Sequence, residues 1–467
     1  MTAITQMDRA TRMTRNQWVL TGAASIGNML EFWDQYLIAF VLAFVIRPWG
    51  LSFGTISFIL LASGAGSILG GFYWGDLADR IGRKPAFVLS IFAFSVCSLA
   101  LAFTPEGSWV YLVVFRFLLG FGTGGFFVPV ALVQETVPAE VRGRAVGVIS
   151  STTSGGLLLG AICGAFIVPA IGWRGMFAIG SLPALYAVLV WYVVPESPRW
   201  AAIHGKIDVA RQALTWALGR PASDADVAQL ATHHEERPHY GELLRYPRSL
   251  WTGIVMSVGF ITGYYGLVLW APTLLNQVQG VSPAQASQIM IGFTICGMIA
   301  RLAMSFFADR LGRKISGGVG TLLAAIFLVV AAFVARGALL PRELFWLSLL
   351  AAYIFADGSL MVVAAYTPEI WPSRLRGIGF GVCSAASGIG KITGPLGLGL
   401  VAGSSNLVMP QATVNAVVPA FSYLAAWFVL ASIAFLFIGI ETKGRTLEEI
   451  EAELDAPTGT PARVATK

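Results

Sequence analysis

The charged run Gly75-Asp76-Leu77-Ala78-Asp79-Arg80-Ile81-Gly82-Arg83-Lys84 returns as Ala308-Asp309-Arg310-Leu311-Gly312-Arg313-Lys314, and each copy lies between two apolar stretches long enough to cross a bilayer. A second motif, Glu135…Pro138…Arg142-Gly143, returns as Glu369…Pro372…Arg376-Gly377. The first pair is offset by 230 positions and the second by 234. Two motifs with nearly one offset imply a doubled half-molecule, the organisation in which membrane transporters place a solute site between repeats.

The composition supports a membrane fold, because 56% of the chain is hydrophobic and only 12% is charged, far from the globular average. Residues 86–103, 317–335 and 416–440 carry no charge at all, and each is near the ~20 residues a spanning helix needs. Hydropathy and punctuation place twelve segments, at about 18–46, 54–75, 86–104, 109–133, 145–170, 174–194, 250–274, 284–307, 317–336, 342–366, 377–403 and 416–440. The expected fold is therefore an all-α membrane protein with twelve transmembrane helices in two pseudo-symmetric six-helix bundles. Its parts are an N-terminal segment 1–17, a first bundle 18–194, a central loop 195–249, a second bundle 250–440 and a tail 441–467. The first apolar segment is too long for a signal peptide and is read as a retained helix. Weak helical spacing from Asp208 to Leu218 predicts a short interfacial helix in the central loop, and the tail after Glu453 is expected to be disordered.

The formal charge of +6 is distributed by side. Arg9, Arg12, Arg15, Arg80, Arg83, Lys84, Arg142, Arg144, Arg310, Arg313, Lys314, Arg374, Arg376, Lys443 and Arg445 fall on one set of loops together with the central loop. Arg47, Arg174, Arg336 and Arg342 fall on the other. The positive-inside rule then puts both termini and the central loop in the cytoplasm, and it accounts for the basic excess without a nucleic-acid partner. Cys97, Cys163, Cys296 and Cys383 stand singly in apolar segments, as small buried hydrophobes do. All four histidines, His204, His233, His234 and His239, lie in the polar central loop. No metal site is expected from either set.

Small residues four apart, at Gly66/Gly70, Gly120/Gly124, Gly156/Gly160/Gly164 and Gly390/Gly394, predict helices in close backbone contact. The doubled cytoplasmic run resembles the signature of the major facilitator superfamily. Pro195-Glu196-Ser197-Pro198-Arg199-Trp200 and Glu441-Thr442-Lys443-Gly444-Arg445 are similar to the half-ending motifs of sugar porters, as is Arg116 with Gly120, Gly122 and Gly124. Ile440 departs from that pattern, which usually has Pro. Within the superfamily, Gly27-Asn28-Met29-Leu30-Glu31-Phe32-Trp33-Asp34 resembles the acidic element of aromatic-acid and metabolite:proton symporters. Residues 150–156 lack the glutamines of sugar porters, and the segment Gly263-Tyr264-Tyr265-Gly266 has no glutamine pair. The resemblance spans nearly the whole chain, from the first helix to Glu449.

An ionisable side chain in hydrocarbon costs about 2.5 to 3.5 kcal/mol on insertion scales, so each one marks a candidate site. Glu31 and Asp34 are three apart on one helical face, and two such carboxylates cannot both ionise comfortably. The resemblance gives Asp34 the role of protonation residue and makes Asp34 and Arg116 the coupling pair. Released from Asp34, Arg116 would be able to hold a carboxylate bidentately, whereas a static buried ion pair is the competing reading. Lys391, beside a Gly-Pro break, is a candidate anion contact, with pairing to Asp357 as its bland alternative. Arg301, eight residues before Asp309, reads as structural. Trp33, Tyr264, Tyr265 and Trp270 are candidates to stack on a flat solute, against a reading as interfacial anchors.

On the cytoplasmic side, Asp79, Arg83, Glu135, Arg142 and Glu196 have counterparts Asp309, Arg313, Glu369, Arg376 and Glu441. They are expected to form gates that close and open in alternating access. The chain is thus read as a transporter and not an enzyme, without a cofactor, with a small molecule, protons and the lipid bilayer as partners. A monomer in a bacterial cytoplasmic membrane is expected. Proton-coupled uptake of a small organic acid is the leading expectation. A sugar or polyol carrier is the alternative, and a non-transporting solute sensor is the alternative from another class.

Overall fold

The computed structural model describes residues 12–232, 239–372, 374–445, 449 and 453–454. Arg9, His233, His234 and the tail after residue 454 lie outside the described residues. The chain is all-α, apart from one isolated bridge between Ser52 and Leu407. Its helices are α1 (Arg15–Trp49), α2 (Phe53–Ile81), α3 (Arg83–Ala102), α4 (Trp109–Thr123), α5 (Phe127–Thr136), α6 (Ala139–Ile162), α7 (Val168–Ile179) and α8 (Pro183–Val193). There follow α9 (Pro198–Ile203), α10 (Ile207–Leu218), α11 (Asp224–Thr232), α12 (Pro247–Gln279), α13 (Pro283–Leu311), α14 (Arg313–Ala335), α15 (Phe345–Glu369), α16 (Arg376–Val401) and α17 (Pro410–Ile433).

Among the described residues ten helical segments are long and apolar enough to cross a membrane. The expectation of twelve in two six-helix bundles is corrected accordingly. The segments expected at 145–170 and 174–194 run together in one 55-residue path, Ala139–Val193, which bends at Gly172 (φ 76°, ψ 167°). The segment expected at 377–403 does form α16. Its glycines, serines and Lys391 dilute its apolarity, and it is not among the ten.

Two compact units make up the chain. The first comprises Met1–Trp49, Phe58–Glu235 and Ser282–Ile291. In it α1 packs along α6, and α3 against α4 and α8. The glycines read from the sequence are where helices touch: a methyl on Gly66 would come within 2.0 Å of the Phe117 carbonyl oxygen, and one on Gly120 within 2.1 Å of the Ser63 carbonyl oxygen. Only a hydrogen fits at either place, so α2 and α4 meet backbone to backbone. The helix expected near 208–218 is α10. With α9 and α11 it buries a small core around Trp200, Ala201, Ala210 and Val227. Trp200 Nε1 donates to the Asp79 carbonyl at 2.8 Å, and Thr14 Oγ1 to the Ala217 carbonyl at 2.7 Å, fixing this module to the helix ends above it.

The second unit comprises Gly50–Ser57, Glu236–Val281 and Gly292–Lys467. Here α12 packs along α16 and α17, and α14 against α15 and α17. Residues 51–54 pair with 404–408 through Phe53 N–H to Asn406 O, Gly54 N–H to Ser404 O and Val408 N–H to Leu51 O, each at 3.0 Å. Phe53 stacks on Trp270, which is fully buried.

Candidate transport and coupling site

The side chains of Asp34 on α1 and Arg116 on α4 are both fully buried. Burial of an unmatched charge is costly, so its partners decide what it does. Arg116 Nη1 donates to the Asp34 main-chain carbonyl at 3.0 Å. Its Nη2 donates to the Gln35 carbonyl at 2.9 Å and to Ser63 Oγ at 2.9 Å. The Asp34 carboxylate is held differently: Oδ1 accepts from Ser98 Oγ of α3 at 3.0 Å, and Oδ2 has no hydrogen-bond partner. Ser98 Oγ also reaches the Phe177 carbonyl, at 3.2 Å. The expected neighbours are therefore brought together, but through the helix backbone and not as a direct ion pair.

Glu31 and Trp33 flank Asp34 and are also buried, at 8% and 5% exposure. Gly156 of α6 lets this stretch approach, since a methyl there would lie 2.6 Å from the Trp33 amide nitrogen. One turn earlier, Asn28 Nδ2 donates to the Ile149 carbonyl and Thr152 Oγ1 at 3.0 Å, locking α1 to α6. Ser63 and Ser98 carry no charge, and the sequence reading passed over them. A serine in an apolar helix was the only available signal.

In the second unit Asp357 of α15 is 1% exposed and fully engaged. Arg301 Nε donates to Oδ2 and Nη2 to Oδ1, both at 2.8 Å, and Tyr264 Oη donates to Oδ1 at 2.7 Å. Arg301, read from the sequence as structural, reaches across from α13, and its planar fork takes both oxygens of Asp357. Lys391 Nζ lies 5.5 Å from the centre of the Tyr265 ring. Tyr264 stacks on Phe260 and meets Tyr265 edge to face, both at centroid distances near 6 Å, 5.8 and 6.0 Å respectively. Trp270 is committed to Phe53.

The charges of the two repeated motifs form one cluster in each unit. In the first, Arg83 bridges Asp79 at 2.8 Å and Glu135 at 3.1 Å. Glu196 Oε1 accepts the main-chain N–H of Arg83 (2.8 Å), Lys84 (3.2 Å) and Ser197 (2.7 Å), while Ser197 Oγ donates to Glu135. In the second, Arg313 bridges Asp309 at 3.0 Å and Glu369 at 3.4 Å. Glu441 Oε1 accepts from the amides of Arg313, Thr442 and Lys443, each at 3.0 Å, and Thr442 Oγ1 donates to Glu369 at 2.5 Å. Each glutamate thus sits at a helix N-terminus, where exposed amides and the helix dipole favour an anion. Gly82 (φ 115°) and Gly312 (φ 100°) make the turns possible. Among the described residues, Arg142 Nε, Arg376 Nε and Arg376 Nη2 are buried without hydrogen-bond partners. Burial pushes the Glu196 carboxyl above its ordinary range, and the three amides only partly offset that push.

Known proteins resemble this chain over most of its length. The family profile described as sugar (and other) transporter matches residues 20–454. The chain is 30% identical to the niacin transporter NiaP of Acinetobacter baylyi, over 93% of this chain and 96% of the relative. It is 28% identical to the putative niacin/nicotinamide transporter NiaP of Bacillus subtilis, over 81% of this chain and 87% of the relative. Among solved structures, the inward-open xylose transporter XylE from E. coli shares the fold, with a TM-score of 0.74 at 21% identity, covering 94% of this chain and 99% of that one.

Proposed function

The chain belongs to the sugar (and other) transporter family of the major facilitator superfamily, and from that premise we propose that it carries a small organic anion inward together with protons, by alternating access. The observation that carries the reading is the state of Asp34: a carboxylate sealed inside a spanning helix, with one oxygen on Ser98 and the other without a partner. An acid group so placed is a site for a proton that enters from one side and leaves to the other. Arg116 holds the α1 backbone at this point through two hydrogen bonds and is itself tied to Ser63 of α2 by a third, so Asp34 can change charge without losing its place.

An anionic solute is supported by the basic and aromatic side chains of the second unit, Arg301, Lys391, Tyr264 and Tyr265. It is also supported by the niacin transporter relative, because niacin is a pyridine carboxylic acid. A second reading, proton-coupled transport of a sugar or polyol, is favoured by the description of the family and by the fold shared with a xylose transporter. The clusters around Arg83 and Arg313 serve in either case as cytoplasmic latches, several modest contacts that can open and close.

Uptake of labelled nicotinate, nicotinamide and xylose into proteoliposomes, with and without an inward pH gradient, separates the readings. Accumulation of nicotinate driven by the gradient is the expected result. Accumulation of xylose alone moves the assignment to the sugar reading, and accumulation that ignores the gradient removes proton coupling.

A further inference from the structure

Tyr264 stands 230 positions after Asp34, the offset that separates Asp79 from Asp309. The helix position that carries a buried acid in the first repeat thus carries a phenol in the second. The second repeat keeps its buried acid on another helix, as Asp357, and there the acid is saturated: two guanidinium nitrogens of Arg301 and the hydroxyl of Tyr264 all donate to it. Gly297 of α13 backs this carboxylate closely. A methyl there would lie 2.6 Å from Asp357 Oδ2 and 2.7 Å from Tyr353 Cε1. Three converging donors around one carboxylate make a recognition site for carboxylates, and here a side chain of the protein fills it.

We propose that Asp357 is a built-in stand-in for the solute, and that the carboxylate of an incoming organic anion exchanges with it on Arg301 and Tyr264. The proposal rests on the organic-anion reading. Arg301 is then the group that distinguishes an anion from its neutral amide, since an amide cannot accept from both guanidinium nitrogens and the phenol.

The exchange has a consequence for charge. Asp357 is 1% exposed; Arg301 and Tyr264 bond to it, and Tyr353, from its own helix, lies with it against Gly297. Once Arg301 turns to the solute, Asp357 loses both guanidinium hydrogen bonds, and in this proposal a proton replaces them, because a buried carboxylate stripped of its paired charge is costly to keep ionised. The step forms one O–H bond on Asp357, with the proton drawn from the side the solute came from, and breaks none within the solute. With Asp34 carrying its own proton, a monocarboxylate crosses with two protons and the cycle moves one net positive charge.

Nicotinate uptake into proteoliposomes, under a pH gradient alone and under a membrane potential alone, tests this. Wild-type uptake is expected to rise under either force. In Asp357→Asn, uptake is expected to keep its response to the pH gradient, lose its response to potential, and show a KM no higher than wild type. Arg301→Lys retains the charge but not the fork, and is expected to raise KM for nicotinate about tenfold while kcat stays within about twofold, narrowing the preference for nicotinate over nicotinamide. Potential-independent uptake by the wild type, or undiminished potential dependence in Asp357→Asn, overturns the proposal. So does unchanged discrimination in Arg301→Lys, a variant that still applies if Asp357→Asn does not fold. A wild type that accumulates no nicotinate, but does accumulate xylose, fails the organic-anion reading itself.

Discussion

Arg116 grips Asp34 by its main chain, donating from Nη1 to the Asp34 carbonyl at 3.0 Å, while the carboxylate of Asp34 reaches Ser98 instead. Position and charge at this point of α1 are therefore held by different groups. The guanidinium fixes the helix, and the carboxylate is left to a single hydroxyl.

Arg116→Gln should accordingly behave first as a structural lesion. The carbonyls of Asp34 and Gln35 and the Ser63 hydroxyl lose charged donors inside a dry site, at about 1 to 3 kcal/mol for each group left unsatisfied. A fall in the melting temperature of the detergent-purified protein, larger than that of Asp34→Asn, is expected. Equal stability of Arg116→Gln and wild type would show that these bonds do not hold α1.

Gly82→Ala and Gly312→Ala should fail for the same two reasons at equivalent turns. Each combines a positive φ with an extended ψ, a backbone region kept almost wholly for glycine that costs other residues about 1 to 3 kcal/mol. A methyl would also lie 2.1 Å from Glu196 Oε2 in one turn and 2.2 Å from Glu441 Oε2 in the other. Gly205 also has a positive φ (71°) but has open space around it, so Gly205→Ala is the control for the methyl contact. Thermal unfolding is expected to rank both latch variants well below Gly205→Ala, and parity with it would contradict the latch geometry.

Acid should favour the first latch. The Glu196 carboxyl is held above its ordinary value of 4.5 by burial, with the amides of Ser197, Lys84 and Arg83 and the charge of Arg83 pulling back only in part. A raised folded-state value means that its contribution to stability is complete below about 4.5 and fades as pH climbs through the folded value. Melting curves from pH 4.5 to 8 should show this decline in the wild type and a shallower one in Glu196→Gln. Identical slopes would assign the decline elsewhere.

Much of this arrangement is legible in the chain itself, because the repeat prints it twice. The pairing of Arg83 with Glu135 and of Arg313 with Glu369 follows from recurring opposite charges beside apolar spans, and Gly66 and Gly120 announce the contact of α2 with α4. What is not legible depends on rotation about helix axes. Lys391 and Arg301 are both lone cations in apolar segments, and only packing decides that Arg301 takes Asp357 while Lys391 lies over Tyr265. Arg116 likewise meets backbone carbonyls, which no side-chain pattern records. The count of spans differs for a simpler reason: Gly172 bends the chain between α6 and α8 within one continuous helical path, and the glycines of α16 thin its hydropathy.

The central claim is that Asp34 carries the coupled proton. Asp34→Asn, reconstituted in proteoliposomes and given labelled nicotinate, measures it most directly when concentrative uptake under a pH gradient is compared with counterflow exchange at equal pH. The account predicts that the variant exchanges nicotinate across the membrane but no longer accumulates it. Accumulation at the wild-type level under the same gradient would contradict it.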